Sequence, residues 1–251
     1  MYGMTRPRIG RPLSPVMRSF YVLTVHPEFI RAYGEFGALR AAAAKGKAVV
    51  QPVALRDFAV DRHGSVDDHP YGGGDGMVLR PEPLAAALRS LPVRPRVILM
   101  SPVGKVWTQQ DAVDYAADDR PVAFVCGRFA GVDQRFIDRY VDAEYSCGDV
   151  ILTGGELPAL MMIDSIVRLL PDVLGNPESP RCDSFAASFG GGLEYALYTR
   201  PPVFEGVSVP AVLLSGDHNA ITQWRTANAT ERTARLRPDL VRVGNTNKGK
   251  T

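Results

Sequence analysis

Alternation of short apolar runs with amphipathic stretches predicts an α/β protein on a mostly parallel sheet, followed by a small, mainly helical region. Two further observations support this reading: glycine-built joints follow several of the apolar runs, and the alternation stops near residue 176. Strands are expected at 20–25, 49–55, 96–101, 122–128 and 149–154, each rich in Val, Ile, Leu or Phe, as for strands covered on both faces. The last contains Val150-Ile151-Leu152, expected as a short buried strand. Helices are expected between them at 27–45, 81–91, 108–117, 133–140 and 157–170. Pro27 and Pro81 stand where a first helical turn tolerates proline, and Thr108 is a candidate N-cap.

Asn-Pro, Ser-Pro and the triple glycine Gly190–Gly192 break the pattern and mark 176–195 as a flexible linker. Residues 18–175 then form the α/β domain, and 196–251 a second domain with a polar helix from about residue 218. Residues 1–17, rich in Pro and Arg, read as a disordered extension or an early start codon, without the apolar core of a secretory signal. No apolar run approaches the roughly 20 residues that span a bilayer. Cys126, Cys147 and Cys182 form no C-x-x-C pair, which favours reduced, buried thiols in a cytoplasmic protein and gives no metal signature. The net charge is only +2, but both ends are basic and the body between them is acidic. That distribution fits a polyanionic partner such as RNA, and equally a solvated helical surface.

Three glycine loops carry the functional signal: Pro70-Tyr71-Gly72-Gly73-Gly74, Cys126-Gly127-Arg128-Phe129-Ala130-Gly131, and Cys147-Gly148-Asp149 through Gly154-Gly155-Glu156-Leu157-Pro158. Paired glycines let main chain approach a ligand and offer it unshielded N–H groups. Ligands of parallel α/β sheets sit beyond the carboxyl ends of the strands, where Ser101-Pro102-Val103-Gly104, Gly127 and Gly154-Gly155 fall. Gly104-Lys105 is followed by Val106, so there is no Walker motif, and neither a helix-opening G-x-G-x-x-G nor H-E-x-x-H occurs. His63 with Asp67 and Asp68 invites a metal site, but a polar loop capping the following turn is the plainer reading.

Together with Ser146-Cys147-Gly148-Asp149-Val150-Ile151-Leu152-Thr153, Tyr198-Thr199-Arg200-Pro201 and Leu214-Ser215-Gly216-Asp217-His218, these motifs closely resemble the bacterial tRNA (guanine-N1)-methyltransferases, in order from about 20 to 240. The resemblance implies a SPOUT-type sheet with a deep C-terminal trefoil knot, a homodimer with its active site at the subunit interface, S-adenosylmethionine as donor and tRNA as substrate. It implies a donor pocket of Met100, Pro102, Gly127, Cys147, Gly148, Asp149, Val150, Ile151, Leu152, Gly154, Gly155 and Pro158. Asp183 matches the general base and Arg168 its partner near the purine, with Asp183 acting across the dimer interface. Asp67, Tyr71, Arg128, Arg200, Arg225 and Arg232 fall on the substrate side, where Arg235 and Arg237 would also meet tRNA phosphates, while Trp224 reads as core. The family also needs magnesium, for which the sequence names no ligand.

The pattern is broken in places. Ala130 stands where the family has Glu, Asp75 where it has Pro, His69 where it has a basic residue, and Cys147 where it has a branched aliphatic. Ala130 leaves open an RNA-binding paralogue with impaired catalysis, or the same chemistry on another RNA. Retention of both Asp183 and Arg168 argues for activity.

Overall fold

The structure, a computed structural model, describes residues 17–241; the expectations for residues 1–16 and 242–251 lie outside the described residues. The chain divides into two units, with the boundary between Leu174 and Gly175. The first runs β1 (Arg18–Thr24), α1 (Pro27–Gly34), α2 (Gly37–Ala44), β2 (Ala48–Ala54), a 3-10 turn (Leu55–Phe58), β3 (Asp67–Asp68), β4 (Val78–Leu79), α3 (Pro81–Arg89), β5 (Arg96–Val106), α4 (Gln109–Ala117), β6 (Val122–Cys126), α5 (Gln134–Tyr140), β7 (Ala143–Ser146) and α6 (Glu156–Val167).

Five strands form one parallel sheet in the order β2-β1-β6-β5-β7. Because side chains alternate along a strand, its central strands serve two cores. Phe20, Val22, Ile98, Phe124 and Cys126 face one core, with Ile30, Leu39, Tyr115, Leu160 and Ile163 from α1, α2, α4 and α6. Tyr21, Leu23, Val97, Leu99, Ala123 and Val125 face the other, with Leu55, Leu84, Ala87 and Phe136. Burial on both faces explains why these strands are continuous apolar runs. Thr108 caps α4 with a reciprocal pair of bonds, its hydroxyl accepting from the Asp111 N–H while the Asp111 carboxylate accepts from the Thr108 N–H.

The structure corrects several expectations. Residues 27–45 are two helices, parted where Phe36 is extended and Gly37 takes φ 55°. The fifth strand is Ala143–Ser146, and 149–154 is not a strand. Val150, Ile151 and Leu152 are exposed rather than buried, because no neighbouring strand lies alongside them. Of the three free cysteines only Cys126 is buried; Cys182 is exposed.

Strand β5 runs five residues beyond its expected end and carries an excursion. Met100 and Lys105 both align with Tyr145 of β7, so Ser101–Gly104 loops out between them. Gly104 returns the chain so close to β7 that a Cβ there would lie 2.4 Å from the Glu144 carbonyl carbon. Only glycine fits this approach.

The second unit contains α7 (Ser179–Cys182), a hairpin of β8 (Val203–Phe204) and β9 (Val207–Ser208), α8 (Ala211–Leu214) and the 19-residue α9 (His218–Leu236). The Asp217 carboxylate caps α9 by accepting from the Asn219 and Ala220 N–H groups. The stretch expected as a linker is turned upon itself and bonded to α9. Phe185 N–H donates to the Gly192 carbonyl, and Leu193 N–H to the Thr233 hydroxyl at 2.9 Å. Trp224 is half-buried, its ring 6.2 Å from that of Tyr198. Among the described residues, no helix is long and apolar enough to cross a membrane.

Gly104→Ala should lower the unfolding free energy by about 1–3 kcal/mol through overpacking. Gly175→Ala, with nothing within 4 Å of the added methyl, serves as control. Urea midpoints check both, and an unshifted midpoint for Gly104→Ala contradicts the account.

Candidate ligand cleft at the carboxyl ends of the sheet

The chain leaves β5, β6 and β7 in three neighbouring loops, and these enclose a cleft of about 490 Å³. Met100 and Pro102 come from the first loop, Gly127 and Arg128 from the second, and Cys147, Val150, Ile151, Leu152, Gly154 and Gly155 from the third. Pro158 joins them from the first turn of α6. Of the residues expected in a donor pocket, Gly148 and Asp149 stand off the wall. Gly148, at φ 127°, makes the turn, its carbonyl accepting from Val150 N–H at 2.8 Å and the Ser146 hydroxyl at 2.9 Å. Asp149 is exposed. The side chains of Val150, Ile151 and Leu152 are apolar yet open to solvent (Ile151 is 82% exposed), which suits a ligand wall better than a core.

Gly155 seats α6 on the strand ends. A Cβ at this position would lie 2.8 Å from Cys126 Cα and 2.8 Å from Met100 Cβ. Its N–H donates to the Gly127 carbonyl at 3.0 Å, tying the second loop to the third. Glycine is therefore required for close approach, and the cleft keeps the room a side chain would remove. The result is a cradle of main-chain groups with apolar walls, suited to a nucleoside.

Under the third loop lies a polar group without an expected role. Thr24, at the end of β1, donates its hydroxyl to Glu156 Oε1 at 2.7 Å, and Glu156 Oε2 faces Arg128 Nε at 3.6 Å. Glu156 is 4% exposed. The sequence signal was the acid directly after Gly154-Gly155, but an acid in a first helical turn usually serves only the helix dipole. Burial pushes the neighbouring Cys126 thiol well above its ordinary range; Glu156 acts in the same direction, and Arg128 opposes it.

The remaining expected residues are distributed as follows. Arg168 is the C-cap of α6 and half-buried, its N–H donating to the Asp164 carbonyl at 3.1 Å. Burial raises the Asp164 carboxyl above its usual range, with the Arg168 charge opposing. Asp183, in the second unit, is the C-cap of α7, and its carbonyl accepts from Ala186 N–H at 3.1 Å. Asp67 pairs with Leu79 in a two-residue ladder, and Tyr71 is 98% exposed beside a second cleft lined by Arg80 and Arg135. The guanidinium of Arg225 lies 4.7 Å from the ring centre of Tyr195, Arg232 donates to the Glu194 carbonyl, and Arg237 pairs with Asp239. Arg200 is exposed, immediately before Pro201. Ala130 lies on the cleft wall, with its N–H bonded to the Met77 carbonyl. Among the described residues, no three His, Cys, Asp or Glu side chains converge as metal ligands.

The fold and cleft define a class: an α/β protein with a cleft beyond the ends of its parallel strands, walled by three loops. The profile of the family described as tRNA (guanine-1)-methyltransferase TrmD matches residues 17–243, and the chain belongs to that family. The tRNA (guanine-N(1)-)-methyltransferase of Synechococcus elongatus is 49% identical over 223 residues, 88% of this chain and 93% of that protein. The protein of the same name from Desulfitobacterium hafniense is 50% identical over 88% of this chain and 83% of its own length. The crystal structure of tRNA (m1G37) methyltransferase from Aquifex aeolicus aligns with a TM-score of 0.73 at 38% identity, covering 94% of this chain and 100% of that one.

Alkylation of the native protein should modify exposed Cys182 first and leave Cys126 untouched until unfolding. Peptide mass spectrometry reads the order, and native labelling of Cys126 contradicts its placement under the cleft.

Proposed function

We propose that the chain transfers the methyl group of S-adenosylmethionine to N1 of the guanosine immediately 3′ of the tRNA anticodon, guanosine 37. The observation that carries this reading is the cleft itself, walled by Pro102, Gly127, Leu152 and Gly155 in a chain of this family. An adenine needs apolar faces and main-chain donors and acceptors at its edge, and strand ends and glycines provide both. When bound, the donor supplies an electrophilic methyl group on a sulfonium.

The chain's own residues have two tasks. The N1 lone pair of guanine is tied into an amide-like ring until the N1 proton leaves. Asp183 takes that proton on its carboxylate, and the Arg168 guanidinium offsets the negative charge that develops at O6. Asp67 and Tyr71 meet the substrate, and Arg200, Arg225 and Arg232 with Arg235 meet tRNA phosphates, which fix position and carry no sequence information. Arg237, already paired with Asp239, contributes least.

A homodimer completes the site, with Asp183 serving the donor cleft of the other subunit. Exposed Phe29, Tyr33 and Phe36 at α1, with Leu157 and Met161 on the adjoining α6, support such an interface, since apolar surface on this scale favours association. The placement of β6 between β1 and β5, with α6 seated back on the strand ends, supports the SPOUT-type trefoil knot. Residues 196–251 form the tRNA-binding part, and the cytoplasm is the place of action. Magnesium enters, where needed, with the RNA rather than in a protein cage.

Asp183→Ala should reduce methyl transfer to unmodified tRNA by about 10²–10⁴-fold, the contribution of a general base. Donor affinity should remain within about twofold, because the carboxylate touches the base and not the donor. Labelled transfer, calorimetry and mass spectrometry of the product nucleoside measure these effects. Transfer to a tRNA lacking guanosine 37, or loss of donor binding in the variant, contradicts the assignment.

A further inference from the structure

Among the described residues, Arg128 is the only Lys or Arg on the wall of the cleft described above, which otherwise offers apolar groups, main chain, neutral polar side chains such as Ser101, Thr153 and Gln134, and one acid, Glu144. Its Nε is the one buried side-chain nitrogen or oxygen without a hydrogen-bond partner among the described residues. That atom faces Glu156 Oε2 at 3.6 Å, just beyond bonding distance. Glu156 is itself fixed by Thr24, and Gly154 crosses over the pair: a Cβ there would lie 2.4 Å from Glu156 Oε2 and 2.6 Å from Arg128 Nε. Burying a donor without a hydrogen-bond partner is costly, so the placement of Arg128 Nε needs a reason beyond packing.

We propose that Arg128, oriented by the Thr24–Glu156 pair, is the anchor for the carboxylate of the donor's amino-acid end. The inference rests on the reading of the cleft as the S-adenosylmethionine site, and it moves Arg128 from the substrate side to the donor side. A guanidinium is a planar fork, with one edge able to lie against a protein carboxylate while another takes a second oxyanion. Glu156 occupies the Nε edge from below, and the rest of the group is left to the cleft. A donor carboxylate is the single anionic group of that ligand, and among the described residues Arg128 is the single Lys or Arg on the wall to meet it. Closing Nε onto Glu156 by a few tenths of an ångström would satisfy the unpartnered donor as the ligand seats. Glu156 and Thr24 are positioning residues, since they act through Arg128.

Calorimetric titration with two ligands tests this: S-adenosylhomocysteine, which has the carboxylate, and 5′-methylthioadenosine, which lacks it. Arg128→Gln should weaken S-adenosylhomocysteine by about tenfold, as for one charge-assisted hydrogen bond, and leave methylthioadenosine within about twofold. Glu156→Gln, which keeps the shape and the Thr24 contact, should narrow the preference between the ligands in the same direction. Combined with Arg128→Gln it should add nothing further, because the two act as a unit. Equal weakening of both ligands by Arg128→Gln would assign it a structural role and overturn the inference, as would no change with either. Wild-type protein that binds neither ligand overturns the donor-site reading and this inference with it, whereas wild type that binds both with an insensitive Arg128→Gln overturns the inference alone.

Discussion

The contact on which this molecule depends is that of Gly155 with the ends of two strands. With Cys126 Cα and Met100 Cβ each 2.8 Å from where a side chain would begin, the amino end of α6 sits directly on the sheet. That seat draws the loop before α6 over the ends of β5 and β6, and the Gly155–Gly127 bond fastens it there. The cleft exists because three loops are held together at one place, and it stays open because their closest points carry no side chains. Gly104 solves the same problem on the neighbouring pair of strands, returning an excursion to β7 where any other residue would collide.

A polar element lies within this packing. Thr24, Glu156 and Arg128 join the end of β1, the start of α6 and the second loop through side chains, where Gly155 and Gly127 join the last two through main chain. Both connections converge on the same few residues, so the chemistry of the cleft wall and the stability of the helix seat are hard to vary separately. The raised thiol of Cys126 is a by-product of that convergence: burial and, less strongly, the nearby Glu156 carboxylate push it up.

How much of this was legible in the sequence depended on what each residue's pattern was serving. Strands β1, β5 and β6 were visible as apolar runs because their side chains fill cores on both faces, and β2 because its Ala and Val residues line the neighbouring strand. The fifth strand was not, because Ala143–Ser146 is only four residues long and half polar, too short and too mixed to read as an apolar run. The apolar run nearby, Val150–Leu152, imitated a strand because a cleft wall needs the same residue types as a core. The glycine loops were legible as loops, but the contacts that demand Gly104 and Gly155 are tertiary and leave no local mark. Gly148 and Asp149 were expected on the wall, yet one forms the turn and the other points to solvent, a distinction that adjacency in sequence cannot make. The roles proposed for Asp183 and Arg168 rest on family resemblance alone, since an Asp after a short helix and an Arg at a helix end are ordinary caps.

Family membership and the geometry of the cleft meet in one claim, that the donor nucleoside lies in the cradle beyond β5, β6 and β7. A crystal structure with S-adenosylhomocysteine tests it most directly. The account predicts ligand density between Pro102, Gly127 and Leu152, with the adenine edge against main-chain groups. Clear density for the ligand elsewhere on the protein, with the cradle empty, would contradict it.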